Sequence, residues 1–413
     1  MRRNSVWGRL LGVQEAVIEG AELDEGSGEM VVAARVRSKQ RRRCGQCHRR
    51  SPRYDNGEGR RRWRAMDLGT VRAYVEAEAP RVKCREHGVV VAAVPWARHE
   101  SRFTKEFEEQ AAWLATETSR STVAELLRVT WRSVGSMLTR VVAEGLERED
   151  ALEGLVRIGI DEVSYRKGQK YLTIVYDHDR KRVVWAGAGR DAATVAAFFD
   201  ALGPERCAKL QQVSADGASW IRTVVRERCP QAQLTLDPFH VVSWATDALD
   251  EVRRDVWNEA RRSGQTALAE GLKGARFALW KNPENLTDNQ KLTLASVSKT
   301  NNRLYRAYLL KEQLRQVFKA GTKEKGMGIL RRWLTWASRC RIPAFVALAR
   351  TIRKHCDDIA VTLNLGLTNA ALESANTKIR LLIRRAFGFH SADATISMVL
   401  LSLGGLCPPL PGR

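Results

Sequence analysis

The sequence predicts an α+β multidomain chain: a basic β-rich module, a helical segment, then an α/β sheet domain interrupted by an all-helical stretch. Three observations carry this. Short alternating runs fill the first ninety residues, a proline-free helical pattern runs from Arg102 to Glu149, and strands alternate with helices from Leu155 onward.

In the first module, Met30–Arg37 and Val71–Ala77 alternate between apolar and polar residues, as half-buried strands do. Two basic runs flank them, Arg41, Arg42 and Arg43, and Arg60, Arg61 and Arg62 with Trp63 and Arg64. Beside these lie Cys44-Gly45-Gln46-Cys47 and Cys84-Arg85-Glu86-His87. Two pairs of soft ligands, each on one tight turn, suit a single tetrahedral zinc ion. His48 is a substitute for His87 as fourth ligand. With no further polar residue to mark an open coordination position, the site reads as structural. This zinc-binding module spans residues 1–98.

Residues 99–150 read as a helix-turn-helix. Ser121 or Thr122 can cap one helix and Thr130 the next. The second helix then presents Trp131, Arg132, Ser133 and Arg140 outward and packs Val134, Leu138 and Val141 inward. Such a helix fits the major groove of DNA.

From residue 151 to 240 the order is three strands in a meander, then helix, strand, helix, strand. That is the order of an RNase H-like sheet. The strands are Leu155–Asp161, Tyr171–Tyr176, Arg182–Ala186, Gln211–Ala215 and Gln233–Asp237, with helices at Asp191–Leu202 and Ser219–Cys229. Residues 241–365 carry helical periodicity without strand signals, and Trp244, Trp257, Trp280, Trp333 and Trp336 are candidate core anchors. The catalytic core resumes at residues 366–413, with a helix from Asn369 to Arg385 and a core helix within Ala394–Pro409.

Asp161 ends the first strand, Asp216 follows the fourth, and Glu373 lies on the helix after the insertion. Carboxylates at adjacent strand ends, met by one from a packed helix, can hold two Mg²⁺ or Mn²⁺ ions for phosphoryl displacement. Asn369, Glu373, Asn376 and Arg380 fall on one helical face, with Leu372, Ile379 and Ile383 behind them. The basic groups Arg380, Arg384 and Arg385, with Asn376, are placed to follow a phosphate backbone. Asp237 ends the fifth strand, one place further out, where it can orient His240 or cap the following helix.

Charge agrees with this reading. Lys and Arg total 69 against 47 Asp and Glu, a net charge of +22, which points to a polyanionic partner. A hydrophobic content of 44% with 28% charged residues excludes a disordered chain. Met1–Gly20 has scattered charges and no apolar central run, and Ala394–Pro409 is too short and polar to span a membrane. A cytoplasmic, nucleoid-associated protein with its other five cysteines reduced is expected.

The motifs come in a particular order. Cys-x-x-Cys, Cys-x-x-His and the helix-turn-helix precede Gly159-Ile160-Asp161-Glu162, Ala215-Asp216-Gly217 and Asp237-Pro238-Phe239-His240-Val241. Asn369-Ala370-x-x-Glu373-x-x-Asn376 and Arg385-Ala386-Phe387-Gly388-Phe389 follow. Over nearly the whole chain this resembles the bacterial insertion-sequence transposases of the ISL-three family. The resemblance implies an RNase H-like catalytic domain of the Asp-Asp-Glu class, interrupted by an α-helical insertion. It also implies cleavage and strand transfer at terminal inverted repeats. The partners expected are double-stranded DNA of element ends and target, and further copies of the chain, since two ends must be processed together. One departure is His87, where similar sequences usually carry cysteine. Two other readings stand beside this one: a catalytically silent DNA-binding regulator, and a nuclease that cleaves without joining.

Overall fold

The computed structural model describes residues 3–13, 15–215, 218–365 and 370–410; Asp216 and Asn369 lie outside the described residues. The chain opens with helix α1 (Arg3–Leu10) and strands β1 (Ala16–Asp24), β2 (Glu29–Val36), β3 (Arg53–Asp55), β4 (Arg60–Leu68), β5 (Val71–Glu78), β6 (Arg81–Cys84) and β7 (Gly88–Val91). They form a four-stranded sheet in the order β1-β2-β5-β4 and a small sheet in the order β3-β6-β7. Alternation on β5 buries Ala73, Val75 and Ala77 against Trp63 of β4, whose ring meets Trp96 edge-on at 5.6 Å. The arginine run at 60–64 is therefore a strand, not a flank. Its alternation was hidden because Arg60 and Arg62 sit on one face, both paired to Glu76 of β5 at 2.8 Å.

Three helices follow: α2 (Lys105–Glu117), α3 (Arg120–Leu126) and α4 (Trp131–Arg148). On α4, Val134, Met137, Leu138, Val141, Val142 and Gly145 are buried, the stripe that a 3.6-residue period produces.

The second sheet is built from β8 (Arg157–Arg166), β9 (Lys170–Asp177), β10 (Arg182–Ala188), α5 (Ala192–Leu202), α6 (Pro204–Cys207), β11 (Gln212–Ala215), α7 (Ser219–Arg228) and β12 (Gln233–Leu236). Its order is β10-β9-β8-β11-β12. The meander is antiparallel, and β11 joins β8 in parallel with Ala215 opposite Ile160. The expected RNase H-like order is thus present, with the first and fourth strands adjacent and β12 at the edge. On one face, Ile158, Ile160 and Val213 pack against Phe198 and Ile221 of the helices.

Helices α8 (Pro238–Arg262), α9 (Thr266–Gly274), α10 (Arg276–Trp280), α11 (Asp288–Thr300), α12 (Asn302–Val317), α13 (Lys323–Arg339), α14 (Pro343–Lys354) and α15 (Cys356–Leu365) then surround a core of their own. Of the five tryptophans expected as anchors, Trp333 is fully buried and donates Nε1–H to Leu310 O (2.8 Å); the other four pack at the rim, partly exposed.

The chain returns to the sheet with α16 (Ala370–Arg385) and α17 (Ala392–Leu403). The last helix starts two residues earlier than expected, capped by Ser391, and stops at Leu403 because Gly404 and left-handed Gly405 (φ 79°) follow. It packs across β10, α2 and α4, so Met398, Val399 and Leu401 share one core with Val134, Met137 and Leu138.

Candidate functional site

At the small sheet, the loop holding Cys44 and Cys47 meets the β6–β7 turn. Cys44 Sγ and Cys84 Sγ stand 3.7 and 3.6 Å from His87 Nδ1, and Cys47 Sγ stands 3.7 Å from Cys84 Sγ. A tetrahedron with metal–sulfur bonds of ~2.3 Å has edges of roughly 3.7 Å, so the four atoms fit zinc. His87 and not His48 completes the set. Backbone N–H groups of Glu86 and His87, then the His87 ring, bring the Cys84 thiol down to about 6, the direction a thiolate ligand requires.

In the helix-turn-helix, Ser119 caps α3 by accepting from Thr122 N (3.2 Å), two or three residues before the expected caps Ser121 and Thr122, which lie in the first turn. Thr130 caps α4 as expected, accepting from Ser133 N (3.1 Å). Between the helices Arg128 is left-handed (φ 55°), and its guanidinium donates to Thr70 O (3.0 Å) and pairs with Asp67. The turn is thereby tied to the first sheet. Trp131 and Arg132 are exposed at the start of α4, and Ser133 is half-buried.

The carboxylates gather on the second sheet. Asp161 lies within β8, which continues to Arg166 beside β9 and does not end at Asp161 as expected, though the pairing with β11 stops at Ile160. Its Oδ1 accepts from Glu162 N (2.7 Å) and its Oδ2 from Asn376 Nδ2 (2.6 Å). Asn376 is on α16, three residues beyond Glu373, and its side chain is 1% exposed. What lets the helix come so close is Gly159: a Cβ there would stand 2.9 Å from Leu372 Cδ2 and 2.8 Å from His178 Nε2. Glu373 is pushed up from the usual carboxylate range by burial, then by the charge and hydrogen bond of Asp237, with a smaller push from Asp161. Asp237 is buried and lies 3.4 Å from His240 Nδ1, but its side chain makes no cap bond to α8. The Asp237 carboxylate thus faces His240 and does not cap the helix that follows it.

Asp161, Glu162, Arg190, Phe239, His240, Glu373, Asn376 and Arg380 are among the residues lining an open cleft of about 380 Å³. Crowded carboxylates with one pushed toward its neutral form, beside a buried Asn376 Oδ1 that has no partner, are what a bound cation would relieve. The donors are hard oxygens and suit Mg²⁺ or Mn²⁺.

The family described as Transposase matches residues 158–399, more than half of the chain. The chain belongs to the ISL3 transposase family. The helix-turn-helix domain of transposase family ISL3 matches residues 92–142, and the zinc finger of transposase IS204/IS1001/IS1096/IS1165 matches residues 40–87. The chain is 51% identical to the transposase for insertion sequence element IS1557 of Mycobacterium tuberculosis, over 100% of this chain and 98% of that protein. It is 24% identical to the transposase for insertion sequence element IS1001 of Bordetella parapertussis, over 81% of this chain and 82% of that protein.

Within this ISL3 chain the structure sorts the residues expected on DNA. Arg41, Arg42, Arg132, Arg380 and Arg384 are exposed or nearly so. Arg43 donates to His48 O (3.0 Å) and Arg61 to Ser101 O (2.9 Å), while Arg60 and Arg62 share Glu76. Three of the expected contacts face inward. Arg64 is 6% exposed and paired to Asp67, Arg140 donates Nε–H to buried Glu108 (2.7 Å), and Asn376 holds Asp161. Arg385, half-buried, donates to Thr116 O. Sequence reasoning passed over Arg190, which stands 3.4 Å from Glu162 and over the Tyr171 ring at 5.0 Å. No motif marks it. Among the described residues no helix is long and apolar enough to cross a membrane.

Proposed function

We propose that the chain is a DNA transposase that holds the terminal inverted repeats of an insertion sequence with its zinc and helix-turn-helix regions and cleaves and joins strands at the Asp161–Glu373 cleft. The observation that carries the reading is the meeting of Asp161, Asn376 and Glu373, from a central strand and a helix far along the chain, at an open cleft on a strongly basic protein. Asp216 is assigned as the third carboxylate, because β11 ends at Ala215 opposite Ile160, the residue before Asp161. Two divalent ions held by Asp161, Asp216 and Glu373 would supply stabilisation of the attacking and leaving oxygens in an in-line displacement.

The chain's own residues do the remaining work. Asn376 fixes the Asp161 carboxylate, Asp237 and His240 set the charge around Glu373, and Arg380 offers a cation to a phosphate at the cleft edge. Zinc at Cys44, Cys47, Cys84 and His87 is structural, holding the basic loops in place. The active form is a homo-oligomer on DNA, since two element ends must be handled together. The test uses a marked element bounded by its own inverted repeats, with wild-type chain and Glu373→Gln. Movement that requires Glu373 supports the reading. Binding without cleavage by the wild type supports a silent regulator, and cleavage without joining supports a nuclease.

A further inference from the structure

The helix that carries Glu373 ends in a manner that stability does not explain. Beyond Arg385, Phe387 N–H donates to Arg384 O (3.0 Å) and Gly388 N–H to Ile383 O (2.9 Å). This pair of bonds makes the C-terminal cap whose left-handed position is usually glycine, because a Cβ is unfavourable there. Here that position is Phe387 at φ 54°, with Gly388 following it. The ring is 96% exposed, so no burial offsets the unfavourable backbone. A bulky residue held in such a conformation is a sign of function rather than of packing.

Its surroundings say which function. Thr377, Arg380, Leu381 and Arg384 are exposed at helical steps of three and four, and Phe387 continues that stripe. Thr377 and Arg380 line the cleft with Glu373, and no acidic residue lies between Glu373 and Phe387. At a rise of ~1.5 Å per residue, Arg385 lies roughly 18 Å along the axis from Glu373, about five base steps of duplex. On the other side, the His390 ring meets Trp131, the first residue of α4, edge-on at 5.1 Å. The Arg120 guanidinium covers both Trp131 (5.6 Å) and Phe389 (5.3 Å). Phe387 therefore stands between the start of the DNA-reading helix and the carboxylate cleft, on a loop anchored at both ends.

We propose that Phe387 is a base-stacking wedge. It enters the duplex about five base pairs from the scissile phosphate, while Arg380 and Arg384 lie on the flanking phosphates. An exposed aromatic ring bordered by arginines suits unstacked bases, whose faces every sequence offers. A second protein surface would also cover the ring, but the stripe beside it carries only cationic charge. The inference rests on the reading of the chain as a DNA transposase.

The experiment uses the full chain and duplexes of the element's terminal inverted repeat, with 2-aminopurine placed at successive positions from the cleaved end. For the wild type and Phe387→Trp, fluorescence should rise at one or two positions about five base pairs in. Phe387→Gly should lose that rise and bind roughly 5- to 150-fold more weakly. Its thermal stability should equal or exceed that of the wild type, since the backbone strain is relieved. Phe387→Gly that keeps both the rise and the affinity overturns the proposal. So does Phe387→Gly that loses self-association while base unstacking persists, which assigns the ring to a protein contact. A wild-type chain that does not bind the repeat removes the transposase reading along with the wedge.

Discussion

Replacing Asn376 with alanine separates two roles that its position on the helix leaves possible. In the structure Asn376 Nδ2 donates to Asp161 Oδ2 at 2.6 Å, and the side chain is 1% exposed, so it reaches a carboxylate and not solvent. A hydrogen bond to a charged group is worth ~1.5–3 kcal/mol. At ~1.4 kcal/mol per decade of rate, its loss predicts strand transfer slowed roughly 10- to 150-fold at saturating DNA. The loss is partial because Asp161 Oδ1 keeps its bond from Glu162 N at 2.7 Å. Asn376→Asp should be slower still, since it sets a second carboxylate against Asp161. Repeat affinity should stay within about twofold for both variants. The assay is single-turnover strand transfer with Mg²⁺ and with Mn²⁺, run beside gel-shift titrations on the same preparations. An Asn376→Ala chain whose binding falls as far as its rate, with the rate per bound complex unchanged, would refute the reasoning and return Asn376 to the DNA surface.

Four further outcomes are expected. Asp216→Asn should abolish cleavage and joining with binding intact, whereas Asp237→Asn, which acts on the charge of Glu373, should leave measurable strand transfer; the reverse result would rewrite the triad around Asp237. A zinc chelator should unfold the N-terminal module while the catalytic sheet stays folded, read as loss of its near-ultraviolet signal with one of two thermal transitions retained; purified protein without zinc but with that module folded would contradict it. Neutralising Arg41, Arg42 and Arg132 should flatten the salt dependence of repeat binding, by about 0.9 in log–log slope per phosphate contact, while Arg64→Gln should lower stability and leave the slope alone. Burial against the α1–β1 turn holds Glu106 up at about 7, so between pH ~4.5 and 7 the folded chain keeps a proton that the unfolded chain releases. Its stabilising contribution is full below that window and lost as pH rises through it; Glu106→Gln should flatten the Tm–pH curve between pH ~4.5 and 7 and raise Tm above pH 7, and an unchanged curve would place the titration elsewhere.

Much of the catalytic sheet is legible in the sequence because each strand is a short apolar run bounded by turn residues and the order of elements is restrictive. The four zinc ligands are legible for a similar reason: spacing alone puts each pair on one turn. Other features depend on partners that spacing does not reveal. Arg60 and Arg62 read as a basic patch until Glu76 of the next strand is seen between them. Asn376 looks like one more polar residue on an exposed face, and only the approach permitted by Gly159 brings it to Asp161. Arg64 and Arg140 have the composition of a DNA contact, but Asp67 and Glu108 turn them inward. Side-chain type told what these groups can bind; the fold decided which partner was within reach.

The apolar side of α4 is covered by α2 and α3 and finally by α17, whose Met398, Val399 and Leu401 lie in the same core as Val134, Met137 and Leu138. During synthesis α4 emerges well before α17, with the whole second sheet and the helical insertion made in between. Until Ala392–Leu403 leaves the ribosome, α4 rests on α2 and α3 and keeps part of its apolar flank open. A prematurely terminated chain therefore leaves part of the α4 core facing water.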